Sequence, residues 1–148
     1  MGLRLTRAAD YAVRAMIHIG SLPEHSVVLK DDIAEAQLIP PSFMAKILRQ
    51  LVKAGLLRSA RGVNGGFGLA RHAAAISLLD IIEGIEGPIH LNACAPDPDH
   101  CTLSHDCPVS TVWVEVQDQL TGLLRQTTLE ALLAAPRQNG HVVYGIER

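Results

Sequence analysis

No uninterrupted apolar run in the 148 residues approaches the roughly 18–20 needed to cross a bilayer, which excludes a membrane-spanning helix. The first residues carry Arg4, Arg7, Asp10 and Arg14 where a secretory signal needs an apolar core, so a cytoplasmic protein with no membrane partner is expected. Cysteine is scarce: the chain has three, an odd number that does not support a disulfide framework in a reducing compartment. No P-loop, dinucleotide fingerprint or substrate motif is present, and the expected class is therefore not an enzyme. The length excludes a TIM barrel and fits one domain, or a small domain with an appendage. With 48% apolar residues, the chain can bury enough surface to fold.

Net charge is also nearly absent, at -2, but that total hides a division. Residues 1–71 hold ten Lys and Arg against five Asp and Glu, a balance of +5, whereas residues 72–148 hold three against ten, a balance of -7. A basic half can follow phosphates while an acidic half stays away from them, the distribution expected of a DNA reader with a separate control region.

Hydrophobic periodicity places the elements. Thr6 can N-cap a first helix to about Ser21, with Ala9, Ala12, Val13, Met16 and Ile17 at helical spacing. Lys30 to Gln37 suits a two-turn second helix. Pro40-Pro41 opens a third, whose apolar stripe runs through Phe43, Met44, Ile47, Leu48, Leu51 and Val52 and which ends at Gly55. Leu56 to Ala60 and Phe67 to Ala70 read as strands around a Gly/Asn turn, Arg61 to Gly66. This order is a winged helix-turn-helix, in which the second helix of the pair enters the major groove. Ser77, with Asp80 at the capping-box position, opens a helix to about Ile85 that Gly84 and Gly87-Pro88 end. Val109 to Thr127 forms a long helix with Val112, Trp113, Val116, Leu120, Leu123 and Leu124 on one stripe, suited to packing on a second subunit. Thr127 to Glu130 reads as a capping box for a short last helix before Pro136, and the tail from Arg137 as loosely held.

The expected fold class is thus mainly α with a small β-hairpin wing: a winged helix-turn-helix domain plus a long dimerisation helix. Its parts are a DNA-binding region over 1–71, a connecting helix over 72–87, a cysteine loop over 88–108, the dimerisation and short C-terminal helices over 109–135, and a tail over 136–148.

All three cysteines, Cys94, Cys101 and Cys107, fall in that loop, spaced C-x6-C-x5-C among Pro, Asp and His. Three thiolates with His90, His100 or His105 could hold zinc, although zinc sites generally include a C-x2-4-C knuckle. The wider spacing, with Pro108 after the last Cys, suits an iron-sulfur cluster, whose larger core the thiolates must surround. Unliganded or redox-active thiols are a third reading. The same loop would also serve an iron-sulfur redox protein, but that leaves the basic winged helix without a purpose.

Four segments carry a resemblance: Leu5-Thr6-Arg7-Ala8-Ala9-Asp10-Tyr11-Ala12, Pro41-Ser42-Phe43-Met44-Ala45-Lys46-Ile47-Leu48, Ser59-Ala60-Arg61-Gly62-Val63-Asn64-Gly65-Gly66-Phe67, and the cysteine loop. Over about residues 3–135 the chain resembles the bacterial winged-helix regulator family that includes IscR and NsrR. The resemblance implies a homodimeric transcription factor, usually a repressor, that binds a palindromic operator in double-stranded DNA. An iron-sulfur cluster on Cys94, Cys101 and Cys107 would tune that binding in response to nitric oxide, redox or iron-sulfur status. It places Ser42, Phe43, Lys46 and Arg49 on the recognition helix and Arg61 on a wing that approaches the minor groove; Lys53, farther along the same helix, is with Lys46 and Arg49 a candidate for phosphate or base contacts. The first cysteine spacing is one residue longer than the family's common C-x5-C-x5-C. Members holding 2Fe-2S have a His three residues after the last Cys, where this chain has Ser110. Members holding 4Fe-4S can take a fourth ligand from an Asp on the partner's first helix, matched here by Asp10. The resemblance therefore favours 4Fe-4S over 2Fe-2S.

Overall fold

The computed structural model describes residues 5–92, 101–103, 106–138 and 141–142. Among these residues six α-helices, a wing hairpin and a small terminal hairpin follow one another: α1 Arg7–Gly20, α2 Lys30–Gln37, α3 Pro41–Lys53, β1 Leu57–Ala60, β2 Gly66–Leu69, a 3-10 turn Ala73–Ala75, α4 Leu78–Glu86, α5 Ser110–Gln126, α6 Leu129–Ala134, β3 Arg137–Gln138 and β4 His141–Val142. The helical and hairpin composition agrees with the expected winged fold.

Local chemistry sets the element ends. The Thr6 hydroxyl accepts from the Ala9 N–H at 3.2 Å, satisfying one of the free donors at the start of α1. At the end of α3, Gly55 adopts φ 74, its N–H donates to Val52 O and the Leu56 N–H to Leu51 O, the bonding pattern of a Schellman turn. The same pattern closes α2, but the left-handed position holds Leu38 at φ 53, with its side chain 86% exposed. At α4, Ser77 Oγ accepts from the Asp80 N–H while Asp80 Oδ2 accepts from the Ser77 N–H, closing the expected capping box.

The sheet register pairs Leu57 with Leu69, Arg58 with Gly68, Ser59 with Phe67 and Ala60 with Gly66. A third segment joins it: the Val28 N–H donates to Phe67 O and the Phe67 N–H to Val28 O. A Cβ on Gly66 would lie 2.5 Å from Val28 O, so this glycine admits the extra strand.

One core unites α1 to α4 with the wing base and α6, centred on Met16, Ile33, Met44, Ile47, Leu48, Leu51, Leu56, Ile76, Ile81 and Leu129. Leu129 enters it because the backbones of Ser77 and Thr128 bridge. The long α5 stands apart and packs on α4, and its single buried residue is polar, Gln117.

Four expectations need correction. Gly84 does not end α4 but lies inside it, where a Cβ would come within 3.1 Å of Ala54 Cβ, so its role is close packing of α4 on the end of α3. The capping box at Thr127 to Glu130 does not form, because Thr127 closes α5 with its hydroxyl donating to Leu123 O, and Thr128 caps α6 through the Ala131 N–H. Phe43 does not join the buried stripe of α3 and is 48% exposed. The tail from Arg137 contains paired backbone, β3 with β4.

Candidate nucleic-acid interface and cysteine loop

Of the predicted DNA-contacting residues on α3, Ser42, Lys46, Arg49 and Lys53 are all exposed. At about 100° per residue they fall within about 60° of one another, opposite the buried Met44, Ile47, Leu48 and Leu51. The helix therefore presents a continuous basic stripe held rigid by its apolar back. No acidic residue occupies the first turn, and Pro40 supplies no side-chain cap, so the first N–H groups and the positive helix end stay available to an anion. Phe43 lies on the flank of that stripe and meets Tyr11 edge to face, with ring centroids 6.1 Å apart. It joins α3 to α1 as well as facing outward.

Arg61 is exposed at the start of the wing turn, beside the fully exposed Val63 and the exposed Asn64. The neighbouring Arg58 turns inward: its guanidinium donates to His25 O at 2.6 Å, tying the wing to the turn after α1.

Asp10 is on the exposed side of α1 and pairs with Arg14 one turn later at 3.7 Å. The Arg14 guanidinium lies 5.6 Å from the Tyr11 ring centroid and donates to Gln37 O at the end of α2. Arg14 thus ties Asp10 to the turn that sets α3. Neither Arg14 nor Gln37 stands out in the sequence, because the contact spans 23 residues and follows no local pattern.

Cys101 and Cys107 are half-buried free thiols. Cys94, His100 and His105 lie outside the described residues, and His90 is exposed. Among the described residues no group of three or more His, Cys, Asp and Glu is placed to hold a metal. Both feet of the loop stand on α5. Near its start, the Gln117 side chain donates to Ile89 O at 2.6 Å and accepts from the Leu91 N–H at 2.9 Å. At its end, Ser110 N–H and Oγ both donate to Cys107 O, at 3.1 and 2.9 Å. Gln117 reads in the sequence as one more polar residue of α5. Only its burial and its two backbone partners distinguish it.

Among the described residues no helix is long and apolar enough to cross a membrane. The family described as Rrf2, iron-dependent transcriptional regulator, matches residues 5–135. Rv1287 of Mycobacterium tuberculosis, which bears the name of an HTH-type transcriptional regulator, is 37% identical over 130 residues, 86% of this chain and 79% of its own. The HTH-type transcriptional regulator IscR of Escherichia coli is 31% identical over 146 residues, 94% of this chain and 90% of its own. Among solved structures, CymR, the global cysteine regulator of B. subtilis, aligns with TM-score 0.74 and 26% identity over 90% of this chain and 98% of that one. On a match that spans the winged region and the long helix alike, the chain belongs to the Rrf2 family of DNA-binding transcriptional regulators, which includes IscR and NsrR.

Proposed function

We propose that the chain acts as a homodimer whose operator binding is controlled by an iron-sulfur cluster held in the cysteine loop. The observation that carries this reading is the loop itself: half-buried, unpaired Cys101 and Cys107 in a segment anchored to α5 at both feet. Thiols kept out of disulfides and partly out of solvent fit the donor chemistry of a cluster. Cys94, Cys101 and Cys107 would supply three thiolates, and Asp10 of the partner subunit a carboxylate. When bound, a cluster supplies a redox- and nitric-oxide-sensitive centre to the loop.

The chain's own residues do the rest. Asp10 holds Arg14, and Arg14 holds the carbonyl that ends α2 and faces Tyr11, which packs on Phe43 of α3. Any change in what Asp10 pairs with is therefore felt at the recognition helix. The exposed Val112, Trp113, Val116 and Leu123 of α5, with Val109 at its N-cap, form a stripe about 100° wide that suits a two-fold partner. A dimer presents two α3 helices to half-sites about one helical turn apart, with Lys46, Arg49 and Lys53 on phosphates or bases and Arg61 toward the minor groove.

Purification without oxygen tests the reading. The protein is expected to carry iron and acid-labile sulfide with visible absorption, both lost in Cys107→Ala. A colourless protein with stoichiometric zinc would replace the cluster by a zinc site. A metal-free protein with oxidisable thiols would favour a thiol-based regulator, the reading to which the half-exposed Cys101 and Cys107 also lend themselves.

A further inference from the structure

A cavity of about 450 Å³, with no residue of α3 in its lining, opens between the turn after α1, the base of the wing and α6. Its volume is that of a small-molecule site, for which about 300–1,000 Å³ is usual. Ile19, Leu22, Leu69 and Leu133 give it an apolar surface, and Arg58, Arg71, Glu24 and Glu130 bring both signs of charge to the same space.

Those opposite charges do not neutralise one another. Arg71 spends one N–H on Ala75 O at 3.3 Å, Arg58 spends one on His25 O, and among the described residues Glu130 has no hydrogen-bond or ion-pair partner. A guanidinium has five donors in a fork matched to a carboxylate, so each arginine retains most of its capacity. The turn that forms one wall is strained. His25 sits at φ 64, and the Arg58 bond to its carbonyl holds it there. Strain of this kind persists where the surroundings fix it and often marks a ligand clamp.

We infer that this cavity binds a zwitterion with an apolar body, the chemistry of an α-amino acid with an aliphatic side chain. A ligand carrying only negative charge would meet Glu24 and Glu130, and one carrying only positive charge would meet Arg58 and Arg71. A zwitterion places its carboxylate on Arg71 and its ammonium on Glu130, with the side chain against Leu69 and Leu133. It would bridge the wing base to α6, and so give the regulator an input separate from the cysteine loop.

Calorimetric titration of the full-length protein with L-leucine and L-methionine tests this, with 4-methylpentanoate and 3-methylbutylamine as probes that keep one charge each. The measurement needs neither DNA nor metal, so its outcome is independent of the cluster reading. L-leucine or L-methionine is expected to bind, and L-leucine at least about tenfold more tightly than either one-charge probe. Amide exchange is expected to slow at residues 22–26 and 69–73. Arg71→Gln and Glu130→Gln change exposed side chains, leave the fold intact, and are each expected to weaken L-leucine binding about tenfold. No binding of either amino acid at about 10 mM, equal binding of a one-charge probe, or unchanged binding in either variant would overturn the inference.

Discussion

The amphipathic helices α3 and α5 solve opposite problems. α3, over 13 residues, buries four apolar side chains in the core and shows solvent a basic stripe. α5, over 17 residues, buries only Gln117 and shows solvent its apolar stripe, with Trp113 at 40% and Leu123 at 61% exposure. The first helix is complete within one chain and open toward phosphate. The second is incomplete within one chain, since an apolar face of that extent is stable in water when something covers it. The charge division follows the same line, with the excess of Lys and Arg on the side of α3 and the excess of Asp and Glu on the side of α5.

If that contrast holds, damage to the two faces separates cleanly. The largest effect is expected from Val116→Glu with Leu123→Glu. Placed on a two-fold interface, each charge meets its own copy, and the protein should sediment as a monomer with operator affinity reduced at least about 100-fold. A dimer that survives both charges would mean that α5 is covered by something else. Next comes the α3 face. Lys46→Ala with Arg49→Ala should cost about 10- to 100-fold in operator affinity and lower the salt slope by about two, while sedimentation and thermal unfolding stay unchanged. Loss of the dimer in that variant would break the separation.

The smaller tests sharpen it. Gln117→Leu leaves Ile89 O and the Leu91 N–H without their partner, at about 1–3 kcal/mol. Amide exchange should accelerate at residues 89–92 with little change along α3, whereas uniform acceleration would show that Gln117 supports the whole fold. Leu38→Gly should raise the melting temperature by a few degrees, because a left-handed leucine costs roughly 1–2 kcal/mol and glycine's larger unfolded-state entropy takes back only part of the gain. An unchanged or lower melting temperature would show that Leu38 contributes to stability in the folded chain.

Most of the fold was legible because it rests on local signals. Thr6, Ser77, Gly55 and the alternation around Asn64-Gly65-Gly66 act over a few residues, and the helix stripes over a few turns. What escaped is long-range. The pairing of Val28 with Phe67, the clamp of Gln117 on residues 89 and 91, and the reach of Arg14 to Gln37 join residues that no periodicity relates. Thr127 and Gly84 misled for a related reason. Each has a local signature, a cap and a break, that neighbouring packing put to another use. The stripe Ser42, Lys46, Arg49 and Lys53 was readable as a set because helical spacing alone decides it. The surroundings of Asp10 were only partly readable: its pair with Arg14 follows helical spacing, but the reach of Arg14 to Gln37 emerges only once α1 lies beside the turn between α2 and α3.

Control of the regulator requires that the cysteine loop speak to α3. The direct measurement is fluorescence anisotropy of a duplex selected by the protein from a randomised pool, titrated with the same oxygen-free preparation before and after nitric oxide. An affinity change of at least about tenfold, absent in Cys107→Ala, is the expected result. Equal affinities before and after, in a preparation shown to contain iron and sulfide, would contradict control of DNA binding by the loop.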